Sequence, residues 1–236
     1  MLRIHVRSRL TRRLRSLLLA GAVLSTMPAA AHAITYTGSG TGTGGTAISA
    51  TADFDLVTYD FGSGGVSALQ ITLTNTAETT DVRGNLVTGI FFNISGVSAL
   101  STDASGFDGN APVVYTTATA TSTDVDIAPA ANGTATDGTY ALVNGGFGIA
   151  NDGTDFSAWD FGISTVGQGL GFNGADVNDD DYGIFAPGSD LTTSNPGGAL
   201  PLIEGSATFW VAAPAELTSL DQLGAVARVT YGSLPD

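Results

Sequence analysis

The chain has 236 residues, no Cys and no Lys, and its formal net charge of −14 understates its acidity, because six of the eight Arg and both His fall within the first 33 residues. Beyond Ala33 only Arg83 and Arg228 stand against 22 Asp plus Glu, which leaves −20. Nucleic acid is excluded as a natural partner, since phosphate binding needs clustered Lys and Arg, and an anionic membrane surface would repel such a chain.

The N-terminus carries Arg3, Arg7, Arg9, Arg12, Arg13 and Arg15 ahead of an apolar run from Leu17 to Leu24, followed by Pro28 and the small-residue site Ala31-His32-Ala33. This predicts a secretory signal peptide over residues 1–33. The apolar run is too short to span a bilayer, which takes about 20 residues, so no membrane span is expected in the mature chain. An exported chain without Cys must rely on its hydrophobic core rather than on disulfides. Residues 34–236 are enough for one such core and are read as a single domain. The Gly/Thr-rich stretch from Gly38 to Gly45 reads as low complexity, so residues 34–46 are expected to form a flexible arm.

From Ala47 the pattern changes. Ile48, Ala50, Ala52, Phe54 and Leu56 alternate with Ser49, Thr51, Asp53 and Asp55, the signature of a strand wet on one face. Asp60 to Gly65 supplies a Gly-rich turn, after which Leu69, Ile71 and Leu73 alternate with Gln70, Thr72 and Thr74. The two runs are expected to be antiparallel neighbours. In the strand from Leu86 to Ser95, Ile90, Phe92 and Ile94 are expected to face the core while Phe91 and Asn93 face away. Further strands are predicted at Val113 to Val125, Tyr140 to Val143, Trp159 to Ile163 and Tyr182 to Ala186. Ala207, Phe209 and Val211 then alternate with Thr208 and Trp210. Thr218 or Ser219 caps a brief helical turn from Leu220 to Leu223, ended by Gly224, before a closing strand through Val229 to Tyr231. Many short strands with abundant Gly and Thr predict an all-β fold, an antiparallel β-sandwich of jelly-roll type or a related barrel, with one short helical turn.

With neither His nor Cys beyond the leader, Ser-His-Asp and Cys-His catalysis have no residues to work with, and oxygen ligands dominate any metal site. Asp176, Asn178 and Asp180 occupy the first, third and fifth positions of a calcium loop, with the Tyr182 carbonyl at the seventh and Asp190 able to reach in from further on. Asp181 replaces the turn Gly of such loops, and Pro187 stands where a bidentate Glu belongs, so a solvated acidic loop is the competing reading. No cofactor is required; Ca²⁺ is the one ion the residues suggest. The pairs Asp124/Asp126 and Asp152/Asp155 read as structural turn or strand residues. Trp159 with Asp160, and Trp210 on the outward side of its strand, are the candidates for stacking on a sugar ring while carboxylates accept its hydroxyls. Core or interface packing is the alternative for both.

The segments ALQITLTNTA from Ala68, LVTGIFFNISG from Leu86, DYGI from Asp181, PLIEGSATFWV from Pro201 and LTSLDQLGAVARVTYGS from Leu217, in this order, resemble exosortase-dependent surface proteins of the PEP-CTERM type. The resemblance implies a protein exported by bacteria that make extracellular polysaccharide, located at the cell surface or in the matrix, without catalysis. It also implies a C-terminal Pro-Glu-Pro signal, a transmembrane helix and a basic tail. This chain departs from that pattern at Leu234-Pro235-Asp236, and the expectation is either a sequence cut just before the sorting tail or a released member. The expectation is therefore a non-enzymatic extracellular protein with polysaccharide or other surface proteins as partners. A carbohydrate-active enzyme, a glycoside hydrolase or lyase using Asp and Glu, is the alternative, and needs two carboxyl groups flanking one bond.

Overall fold

Alternating apolar and polar side chains give each strand one dry face, and burying those faces against each other determines the architecture. The computed structural model describes residues 33–41, 45, 47–78, 85–127, 140–149, 155–165, 182–189, 191 and 201–232. Their regular structure is all β apart from a single 3-10 turn. The strands are β1 (Ile34–Thr41), β2 (Ala47–Asp60), β3 (Gly65–Asn75), β4 (Val87–Phe92), β5 (Phe107–Tyr115) and β6 (Thr121–Asp126). They continue as β7 (Ala141–Asn144), β8 (Phe161–Ser164), β9 (Ile184–Phe185), β10 (Leu202–Glu204), β11 (Ser206–Ala212) and β12 (Arg228–Tyr231). The 3-10 turn is Leu220–Gln222. No helix among the described residues is long and apolar enough to cross a membrane.

One hydrogen-bonded path runs β1-β2-β3-β11-β5-β10-β9-β4-β8-β7, with β6 on β5 and β12 on β4. It doubles over into two layers, the first centred on β2, β3 and β11 and the second on β4 and β8. Phe54 of β2 meets Phe92 of β4 edge-to-face at 5.3 Å, and Phe92 in turn contacts Phe161 of β8 at 5.7 Å. Phe209 of β11 packs on Tyr140 at 4.7 Å. These rings, with Ile71, Leu73, Ile90, Ile163 and Ile203, form the main core. The sandwich expected from the alternation is therefore present, and all of its strand pairs are antiparallel except β9 with β10.

The path turns the corner between layers at Gly205. β5 pairs with β11 through Phe107 to Asn110, then with β10 through Val114 and Tyr115. Between them Gly205 adopts φ +78, a region costly for any residue with a Cβ, and Pro112, lacking an N–H, stands in β5 where the partner changes. Asn75, fully buried, fixes the same corner: its Nδ2 donates to the carbonyls of Asn85 at 2.6 Å and Ile184 at 2.8 Å, and its Oδ1 accepts from Ala77 N at 3.0 Å. Asn75→Ala strips these buried groups of their partner and is expected to cost about 1–3 kcal/mol, measured as a lowered urea midpoint with an unchanged slope; a loss below the error of the titration would show that the corner holds without it.

The structure corrects three expectations. Ile34 to Thr41 is a paired strand rather than a flexible arm: it runs in unbroken antiparallel register with Phe54 to Ala47, and Tyr36 sets its ring edge-to-face on Phe54 at 5.4 Å. Glycine content hid the inward pair Ile34 and Tyr36. The run from Val113 to Val125 is a hairpin instead of one strand, because Thr117 Oγ1 accepts from Ala120 N at 3.0 Å and turns the chain between β5 and β6. The strand expected from Tyr182 to Ala186 shrinks to Ile184–Phe185, as Tyr182 takes a left-handed φ of +62. The capped turn forms as the sequence suggests, with Ser219 and Gln222 in a reciprocal capping box.

Candidate functional site

The side chains that β2, β3, β11, β5 and β6 turn away from the core form a polar face, and strand register decides which of them meet. Asp53, Thr72, Thr208, Asn110 and Asp126 align in one row across it. Thr35 of β1 stands opposite Asp53 and donates its hydroxyl to that carboxylate, while the Thr72 and Thr208 hydroxyls lie 3.2 Å apart. The next row is Asp55, Gln70, Trp210 and Asp108. Here the Trp210 indole N–H donates to Gln70 Oε1 at 3.1 Å, which holds the ring.

Two further aromatics join this row from the end of β2. Tyr59 stacks on Trp210 with centroids 4.5 Å apart and planes 10° from parallel, and Phe61 meets Tyr59 edge-to-face at 4.8 Å. The Tyr59 hydroxyl donates to Asp108 Oδ2 at 2.5 Å. The turn that follows is closed by Asp60, whose Oδ1 accepts from Gly62 N and Gly64 N at 2.8 Å each, with both glycines at positive φ. The result is a half-buried aromatic ledge rimmed by carboxylates and one amide. Sequence periodicity places Tyr59 on the outward register of β2, but its partner two strands away is set only by pairing.

The ledge lies in a field of negative charge. Burial, then the hydrogen bond to Asp108 and the charges of Asp108, Asp126 and Asp60, push the Tyr59 hydroxyl up to about 12, and burial does the same to Tyr231 in β12. Both tyrosines hold their proton more tightly in the folded chain than at the ordinary value of about 10. Their contribution to stability is full below pH 10 and is lost as pH rises towards 12. Alkaline unfolding is therefore expected in that window, seen as tyrosinate absorbance rising together with loss of the far-ultraviolet β signal. Complete tyrosine ionisation near pH 10 with the fold intact would contradict it.

Trp159 and Asp160 lie elsewhere, outside the second layer. The outward ring of Phe91 is not wet there: Phe147 meets it at 5.0 Å and Phe156 at 4.6 Å, forming a second small core against which Trp159 packs. Gly162 makes room, since a Cβ there would come within 2.8 Å of the Phe91 ring. Asn93 fixes the covering segment, its Oδ1 accepting from Asp160 N at 2.6 Å and its Nδ2 donating to Ala158 O at 3.1 Å. Arg228 caps the cluster, 4.7 Å above the Phe156 ring. Trp159 packs against this cluster while staying half-buried, and the structure does not bring it together with Trp210.

Of the calcium-loop residues, Asp176, Asn178, Asp180 and Asp190 lie outside the described residues, as does Asp152. The Tyr182 carbonyl accepts the hydroxyl of buried Tyr140 at 3.0 Å. Among the described residues no group of three acidic or other ligating side chains is gathered to hold a metal ion. Asp155 closes a turn by accepting from Ser157 N at 2.8 Å, and hydrogen bonding from the Ser157 hydroxyl, then from that amide, holds its carboxyl below the ordinary value. Asp124 sits at φ +52, which interrupts the pleat that would aim it alongside Asp126.

No family model, curated protein or solved structure matches this chain. What fold and face define together is an all-β, sandwich-like domain with an aromatic and polar surface on one layer and an internally covered surface on the other.

Proposed function

We propose that the chain is an exported, non-enzymatic bacterial protein of the cell surface or extracellular matrix, of the exosortase-sorted kind, that holds extracellular polysaccharide on the outer face of its first layer. The observation that carries this reading is the Tyr59–Trp210 stack held beside Gln70 and Asp108. An aromatic ring packs against the C–H face of a pyranose while neighbouring carboxylates, amides and hydroxyls exchange hydrogen bonds with its hydroxyl groups. The row of Thr72, Thr208 and Asn110 beside the ledge extends that chemistry along the sheet. The Arg-rich leader, the lack of Cys and the order of the PEP-CTERM-like segments support the location.

The carboxylates of this face favour positioning over acid/base work. Asp53 is engaged by Thr35, and Asp108 by Tyr59, so each is already committed to a neighbour. A glycan array probed with the secreted chain is expected to show retention on a subset of polysaccharides with no shortening of the glycan. Retention of the protein in the cytoplasm, or an array without any bound glycan, would overturn the reading.

A further inference from the structure

Among the described residues, the outer face of the first layer bears carboxylates and neither Arg nor Lys. Asp55 and Asp108 are half-buried beside the aromatic ledge, and Asp60 and Asp126 are exposed around it. Arg228, the one Arg or Lys among the described residues, lies over Phe156 outside the other layer. Building on the proposed polysaccharide binding, we infer that this face selects glycans bearing protonated amines, such as de-N-acetylated hexosamine oligomers, over neutral and uronate-bearing ones.

Two interactions favour an ammonium at this place. The ring surface of the ledge left uncovered by the Tyr59–Trp210 stack and the Tyr59–Phe61 edge contact attracts a cation through the aromatic quadrupole, and the carboxylates around it add Coulombic attraction that is stronger at a partly desolvated surface than in bulk water. Tyr59 already responds to this field, because the charges of Asp108, Asp126 and Asp60 help to hold its proton. A uronate brought to the same ledge would meet like charge on several sides with no Arg or Lys of the described face to receive it. An N-acetylated sugar keeps the stacking and loses the charge term.

The net charge of the chain attracts any polycation, so the test uses short oligomers and local substitutions. Isothermal titration of the secreted chain with a β-1,4-linked glucosamine hexamer, its fully N-acetylated counterpart and a hexuronate of equal length separates the chemistries. The glucosamine hexamer is expected to bind at least tenfold more tightly than the acetylated one at low salt, with the hexuronate giving no heat. Asp60→Asn with Asp126→Asn, both exposed positions that leave the core untouched, is expected to cut that preference below threefold, and 0.5 M NaCl should do likewise. Equal affinity for the amine and acetylated hexamers would overturn the amine preference and leave polysaccharide binding standing. Amine binding undiminished in Trp210→Ala and in the double Asn variant would assign it to net charge alone and overturn the inference. Silence with all three oligomers would overturn the inference together with the polysaccharide reading beneath it.

Discussion

Phe54→Ala is expected to destabilise the fold by about 3–5 kcal/mol. Phe54 is fully buried and joins three parts of the molecule: the Tyr36 ring of β1 at 5.4 Å, its own strand, and Phe92 of the opposing layer at 5.3 Å. Truncation removes the transfer free energy of the ring and opens a cavity that strands fixed by hydrogen bonds on both sides cannot close. Against a typical total stability of about 5–15 kcal/mol, the loss is large enough to bring the chain near its unfolding midpoint at ordinary temperature. Urea titration at pH 7 should show the midpoint falling steeply with an unchanged slope. A loss below about 1 kcal/mol would mean that the two layers do not pack through this ring.

Trp210→Ala is the corresponding test of the face. The indole is on the outward side of β11, with Phe209 and Val211 turned into the core, so its removal should leave the sandwich assembled. Stability should fall by about 0.5–1.5 kcal/mol through loss of the Tyr59 stack, whereas affinity for a bound polysaccharide should fall at least tenfold, about 1.4 kcal/mol. Trp210→Phe keeps a ring for Tyr59 to stack on, loses the N–H to Gln70, and should retain most of the binding. If Trp210→Ala binds as the unaltered chain does, the ledge is a packing feature like the Trp159 cluster.

Strict local alternation makes an element legible in the amino-acid sequence. β2, β3 and β11 show inward sets that match their buried positions, and the capped turn at Ser219 to Gln222 follows from side-chain spacing alone. β1 is hidden because Gly38 and Gly40 carry no side chain to mark a face, and its strand identity rests on pairing with β2. The break between β5 and β6 depends on one hydroxyl-to-backbone bond at Thr117, which composition does not distinguish from a continuous Thr-rich strand.

The candidate face is partly legible for the same reason. Periodicity places Trp210 on the outward side of its strand, but Tyr59, Phe61 and Asp108 join it only through the register of four strands, brought together from distant parts of the chain. Trp159 shows the converse: adjacency to Asp160 suggests a sugar platform, while its packing against the cluster of Phe91, Phe147 and Phe156 comes from across the fold. Local periodicity reports a side chain's direction. What lies over it is a matter of topology.

The most direct measurement is affinity electrophoresis of the chain and of Trp210→Ala through gels containing bacterial extracellular polysaccharide, with the polymer recovered and sized afterwards. Retardation of the unaltered chain, free migration of Trp210→Ala and polymer of unchanged length are expected. Equal migration of the two proteins, or polymer shortened by the unaltered chain, would contradict a non-enzymatic polysaccharide-binding role for this face.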